Sequence, residues 1–183
     1  MPLTCSEIIE MYEKRAGKQY GGEAISQLEH ALQCANLADQ AGETDETVVA
    51  ALLHDIGHLI ASDHPKSVKN KQEHDDLHQF IALPFLRGVF SDAVLEPIRL
   101  HVDAKRYLCG VEPGYWATLS EASKSSLQKQ GGSFTGEEIV AFMRQPFAEE
   151  SIRLRRYDDS AKVPQRQTPD IAYFSIKLKN VMV

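Results

Sequence analysis

The sequence has little with which to cross-link itself, to cross a membrane or to hold a polyanion. Its three cysteines, Cys5, Cys34 and Cys109, are odd in number and far apart. They lack the close spacing of a zinc site or a disulfide scaffold and read as buried thiols in a reducing compartment. No stretch approaches the roughly 18 apolar residues of a membrane span. The opening MPLTCSEIIEMYEKR has no basic region followed by an apolar run, so a leader is not expected and the cytoplasm is the expected location. Lysine and arginine number 20 against 26 aspartates and glutamates, a formal charge of −6. That balance excludes a surface built for nucleic acid or an anionic membrane, although a small anion needs only a few placed cations. Internal repeats and low-complexity tracts are absent.

What is present is a chain of 183 residues, 43% hydrophobic, enough for one compact core and hence one domain over 1–183. Apolar residues recur at spacings of three and four, which predicts an all-α fold. A first helix is expected over Cys5 to Ala16 and a second from about Glu23 to Ala41, stopped by Gly42. Thr44 or Asp45 caps a third that carries VVAALLHDIGHLI and ends near Asp63. The polar KSVKNKQE, 66 to 73, reads as a loop. Helices then follow over roughly Asp75 to Arg87, Ser91 to Leu108 despite Pro97, within 117 to 130, 136 to 144 and 148 to 156, and 170 to 180.

The chemistry is concentrated in histidine and aspartate. His54-Asp55, followed by Gly57-His58, sits among Ala and Leu, where polar groups cost several kcal/mol to bury unless something compensates. A metal ion is the simplest compensation. One further histidine appears on each of three other predicted helices: His30 in QLEHALQCA, His78 in DLHQFIALPFL and His101 in IRLHVDAKRYL. Single ligands converging from separate helices are how bundles build dinuclear sites, and imidazole with carboxylate suits iron, manganese or zinc. His64, beside Pro65, and His74, in QEHDD, read as surface residues. Spacing adds neighbours to the ligands. His58 lies four residues after His54 and Lys105 four after His101, while Glu23, Gln27 and His30 recur at helical spacing.

The order His30, His54-Asp55 and a distal aspartate resembles HD-domain metalloproteins, and the added His78 and His101 resemble their dinuclear branch. More narrowly, YGGEAISQLEHALQCA, AALLHDIGHL, HVDAKRYL, LSEAS with QGG, and LRRYD followed by KVP are similar to the mixed-valent di-iron oxygenases that cleave organophosphonates. The match is with the 2-amino-1-hydroxyethylphosphonate dioxygenase group and its trimethylammonio-substrate relatives. It covers about residues 20 to 164 and leaves 165–183 as a C-terminal helical extension. The resemblance implies an HD-domain helical bundle holding an Fe(II)/Fe(III) pair and using O2 as co-substrate. His30, His54 and Asp158 would ligate one iron, His78 and His101 the other, with Asp55 bridging. LRRY before Asp158 favours it over the adjacent Asp159.

Tyr20 matches a residue that occupies an iron position before substrate arrives, and Glu23 the acid that meets a substrate ammonium. His58, Lys105, Ser123 and Arg155 match phosphonate contacts, with Gln27 and Ser126 as further candidates beside them. The implied substrate is a zwitterionic 1-hydroxy-2-(amino or trimethylammonio)ethylphosphonate, cleaved to phosphate and glycine or glycine betaine. A quaternary ammonium prefers aromatic faces, for which Tyr20, Tyr107, Tyr115 and Trp116 are candidates. The six ligands alone equally suit an HD phosphohydrolase acting on a small phosphate ester. A purely structural metal site gives no purpose to His58 and Lys105 beside the ligands.

Overall fold

In the computed structural model, residues 2–14, 17, 19–20, 22–63 and 71–183 are described, without the side chains of 62, 63 and 71–76. His64, most of the polar loop and the side chain of His74 therefore lie outside the described residues. The described chain is helical: α1 (Cys5–Lys14), α2 (Gln27–Gln40), α3 (Asp45–Leu53), α4 (Ile56–Asp63), α5 (Lys71–Leu86), α6 (Asp92–Val111), α7 (Tyr115–Thr118), α8 (Glu121–Lys129), α9 (Gly136–Met143), α10 (Ala148–Ser160) and α11 (Ile171–Asn180). Extended pairing among the described residues is limited to isolated bridges such as Gln19 with Ser26. No helix among the described residues is long and apolar enough to cross a membrane.

Helix α3 is the axis of the core. Every residue from Thr47 to Leu53 is buried, because a helix that is apolar on all sides has to be covered on all sides. It packs on α2, α6, α10 and α11, and α6 in turn packs along α10. Phe174 and Leu178 of α11 are fully buried in the same cluster as Val48 and Leu52, so the C-terminal helix is part of the core. A smaller cluster of Leu100, Ala104, Phe134, Phe142 and Ala148 closes the other side of α6.

Several boundaries differ from the sequence reading, three of them on the segments that carry His30, His54 and His78. The second helix starts at Gln27, because Ser26 and Glu29 form a reciprocal capping box, and Glu23 stands in the turn before it. Glu23, Gln27 and His30 are therefore not one helix face. The VVAALLHDIGHLI segment is interrupted, with His54 and Asp55 between α3 and α4 and the His58 N–H donating to the Asp55 carbonyl three residues back. The fourth predicted helix begins earlier, at Lys71, inside what reads as loop, and carries Pro84 within it. Of the three expected buried thiols, only Cys34 is buried, the other two being half-buried.

Helices α4 and α5 meet where a glycine permits it. A Cβ on Gly57 would lie 2.0 Å from the His78 carbonyl oxygen, a distance no side chain tolerates against backbone. Gly57→Ala is therefore expected to force the two helices apart, destabilising the fold by about 2–3 kcal/mol in urea unfolding. A loss below about 0.5 kcal/mol would show that α5 does not depend on this contact.

Candidate metal centre

Three imidazoles are fixed by the backbone. His30 Nδ1 lies 2.8 Å from the Ala161 carbonyl, His54 Nδ1 2.9 Å from that of Ala51, and His101 Nδ1 2.7 Å from that of Ile98. A carbonyl only accepts, so each ring carries its proton on Nδ1 and, when neutral, turns a bare Nε2 lone pair inward. The Nε2 atoms face one another in pairs: His30 Nε2 is 3.3 Å from His54 Nε2, and His78 Nε2 is 3.0 Å from His101 Nε2.

Asp55 stands between the two pairs. Its Oδ2 is 3.4 Å from His54 Nε2 and 3.8 Å from His30 Nε2, and its Oδ1 is 3.0 Å from His78 Nε2 and 3.7 Å from His101 Nε2. Asp158, in the last turns of α10, adds its Oδ1 3.4 Å from His30 Nε2 and its Oδ2 3.9 Å from His54 Nε2. That Oδ1 is buried with no hydrogen-bond partner.

Two pairs of facing imidazole nitrogens, joined by one carboxylate and completed by an orphaned oxygen, are satisfied by cations, so the donor set fits metal ions. The charges pull the same way. Burial depresses the His54 imidazolium, yet Asp55 and Asp158 outweigh it and raise that group to about 9. Burial, with His78 and His54 close by, pushes His101 well down. Burial opposes ionisation of Asp55, but His54 and His78 hold its carboxyl well below the usual range.

The six residues expected as ligands thus come together. The structure also brings up Cys34, which the sequence reading did not connect to the cluster; its thiol is 3.6 Å from His30 Nε2, and the signal was its place one turn after His30. Burial keeps that thiol protonated. Tyr20 donates its hydroxyl to Asp55 Oδ2 at 2.6 Å and stacks on His30 at 3.9 Å between ring centroids. His58 stacks on His78 at 4.2 Å.

Beside the cluster lies a cavity of about 350 Å³ lined by Asp55, His78, His101 and Asp158 together with Tyr20, Glu23, Gln27, His58, Lys105, Ser123, Ser126 and Arg155. Lys105 donates to Ser126 Oγ at 2.7 Å. Burial, then the Arg155 charge, lowers its ammonium to about 7. Arg155 is buried, with Asp158 Oδ2 at 2.7 Å and Ser123 Oγ at 3.5 Å, and it also binds Asp159, which accepts from the Tyr115 hydroxyl. Asp159 thus faces Arg155 and Tyr115, while Asp158 lies between Arg155 and the histidines. Lys162, also in the wall, donates to Ser123 Oγ at 2.8 Å. It was missed because α10 ends at Ser160, so its spacing of four from Asp158 falls past the helix. Of the aromatic candidates for an ammonium, Tyr20 lines the cavity. Tyr115 is taken by Asp159, Tyr107 lies against Phe142, and Trp116 is outside under Lys124.

Comparison with known proteins accords with this geometry. The model of the HD domain matches residues 28–130. The chain is 42% identical over 166 residues to a hydroxymethylphosphonate dioxygenase of Gimesia maris, covering 91% of this chain and 82% of that protein. It is 36% identical over 165 residues to the glycine-betaine-forming [1-hydroxy-2-(trimethylamino)ethyl]phosphonate dioxygenase of Leisingera caerulea, covering 90% and 83%. An uncharacterized protein of Acanthamoeba polyphaga mimivirus is 36% identical over 178 residues, 96% of this chain and 78% of that one.

The adjacent aspartates are separable by experiment. Asp158→Asn is expected to lower bound metal, measured by elemental analysis after reconstitution, by at least half. Asp159→Asn is expected to leave metal content within about a tenth of the unaltered protein, since its partners are Arg155 and Tyr115. The reverse pattern would exchange their roles.

Proposed function

The chain belongs to the HD-domain family, in its phosphonate oxygenase group, and from that membership and the geometry of its donor cluster we propose that it is a non-haem di-iron oxygenase. It cleaves the carbon–phosphorus bond of a 1-hydroxyalkylphosphonate and releases phosphate. The supporting observation is the pair of facing imidazole nests joined by Asp55 beside a pocket of fixed cations. His30, His54 and Asp158 would hold one iron and His78 and His101 the other, with Asp55 shared between them, and the family's Fe(II)/Fe(III) state is the one this donor set would serve. When bound, the irons supply chelation of the phosphonate and its neighbouring hydroxyl and the one-electron chemistry through which O2 reacts.

The chain's own groups do the rest. Lys105 and Arg155, with His58 and Ser123, neutralise and hydrogen-bond the phosphonate oxygens, fixing which carbon faces the cluster. Arg155 is held in place by Asp158 and Asp159, so its orientation is set before substrate arrives. Tyr20 covers Asp55 from the cavity side through its 2.6 Å hydrogen bond, reserving a face of the cluster until substrate takes it. Atoms balance when the carbinol oxygen stays on carbon and O2 gives one atom to the new carboxylate and one to phosphate. A substrate with a 2-amino or 2-trimethylammonio substituent keeps it on the new carboxylate and yields glycine or glycine betaine.

An HD phosphohydrolase would use the same donors with water on a phosphate ester. The two relatives with assigned activities are both phosphonate dioxygenases, which favours the oxidative reading. Anaerobic loading with Fe(II), partial oxidation and admission of O2 with a 1-hydroxyalkylphosphonate is expected to release phosphate in proportion to O2 consumed. Phosphate released from a simple phosphoester without O2 would establish the hydrolase instead.

Lys105 offers a second test. In the free protein its ammonium is held to about 7 by burial and Arg155, so at mildly alkaline pH it is largely neutral while the phosphonate is already dianionic. Binding restores the charge on Lys105, so the complex takes up about one proton. Calorimetry in buffers of different ionisation enthalpy reads that uptake, and Lys105→Met is expected to abolish it. Unchanged uptake in the variant would move the proton to another group.

A further inference from the structure

Glu23 faces the cavity with its charge already answered. Its Oε1 accepts from Ser120 Oγ at 2.5 Å and lies 3.5 Å from the Lys162 ammonium. Lys162 in turn donates to Ser123 at 2.8 Å and sits 3.9 Å from Asp158 Oδ1. The two side chains are only 12% and 15% exposed, so solvent and salt screen their attraction weakly. Lys162 thus stands between the carboxylate suited to a substrate cation and the serine and aspartate that border the phosphonate pocket. Tyr20, the one tyrosine among the cavity's described lining residues, turns its ring face onto His30, which leaves no aromatic cage for a quaternary ammonium.

Resting on the oxygenase reading above, we infer that Lys162 determines specificity as a built-in counter-cation to Glu23, so that a cationic group on the substrate is dispensable. A 1-hydroxyalkylphosphonate carrying no positive charge leaves the Glu23–Lys162 pair intact and adds its dianion to Lys105, Arg155 and His58. One that carries an ammonium competes with Lys162 for Glu23 and presses the displaced lysine toward Arg155. Without Lys162 the balance inverts. A poorly solvated Glu23 carboxylate then repels an uncharged-tail phosphonate, while an ammonium on the substrate resupplies the missing cation.

The test compares hydroxymethylphosphonate with 2-amino-1-hydroxyethylphosphonate on the iron-loaded full chain, following phosphate release with O2. Anaerobic calorimetry measures the affinity for each. Unaltered protein is expected to process hydroxymethylphosphonate with a kcat/KM at least equal to that for the aminated compound. In Lys162→Met the ratio of the two is expected to fall by about tenfold or more, in turnover and in affinity alike. The double variant Glu23→Gln with Lys162→Met, which buries no unpaired charge, is expected to restore the ratio; if the single variant fails to fold, Glu23→Gln alone, which leaves Lys162 to repel a substrate ammonium, is expected to raise the ratio about tenfold, and an unchanged ratio there would overturn the inference. Two further results would overturn the inference: unaltered protein that acts only on the aminated compound, or a Lys162→Met variant that loses both substrates by the same factor. Phosphate from neither compound in the unaltered protein would overturn the oxygenase reading and this inference with it.

Discussion

The whole site turns on one carboxylate. Asp55 reaches four imidazole nitrogens within 3.8 Å, two with each oxygen, and sits where those rings otherwise face only one another. A buried carboxylate and four buried imidazoles are an expensive set to desolvate, and breaking such a set by removing one member is worse than never burying it. The arrangement is therefore stable as a unit or not at all. In the absence of metal the positive charge it requires is drawn onto His54, whose imidazolium Asp55 and Asp158 raise to about 9 in spite of burial.

The fold is organised to hold those rings still. Three of the four histidines are pinned through Nδ1 to main-chain carbonyls, so their tautomer and rotation come from backbone geometry and not from the ion they would hold. The interruption between α3 and α4 lets His54 point back to α2 while Asp55 faces both nests and His58 reaches the cavity. Gly57 then brings α5 close enough for His78 to close the second nest. Catalytic constellations need positions fixed to fractions of an ångström, and packed helices supply that better than loops.

Much of this was legible in the order of the residues. The apolar period of α3 announced a buried helix, and polar ligands within so apolar a run announced compensation by a cation. Single histidines on α2, α5 and α6 needed only their helices' inward faces to be recognised. What escaped were features that depend on the chain leaving helical register. Glu23 was named as a site residue but placed on a helix face, whereas it lies before a capping box whose strength outweighed the helical spacing with Gln27, and Lys162, which was not named, lies after α10 has ended. Cys34 was visible as a spacing but carried no sign that its sulfur would touch an imidazole. Which aspartate faces the histidines was favoured only by the preceding LRRY, since a one-residue step on a helix turns a side chain by about 100° and spacing alone does not fix its direction.

The five residues 158–162, which run past the end of α10, serve three separate ends. Asp158 faces the first nest, the Ala161 carbonyl pins the His30 ring, and Lys162 answers Glu23 across the cavity. Because all three are set by one short run of backbone, inserting or deleting a single residue between 158 and 162 would misalign ligand, tautomer and charge partner together. In that stretch the geometry tolerates exchanges of side chain at fixed length and no change of length.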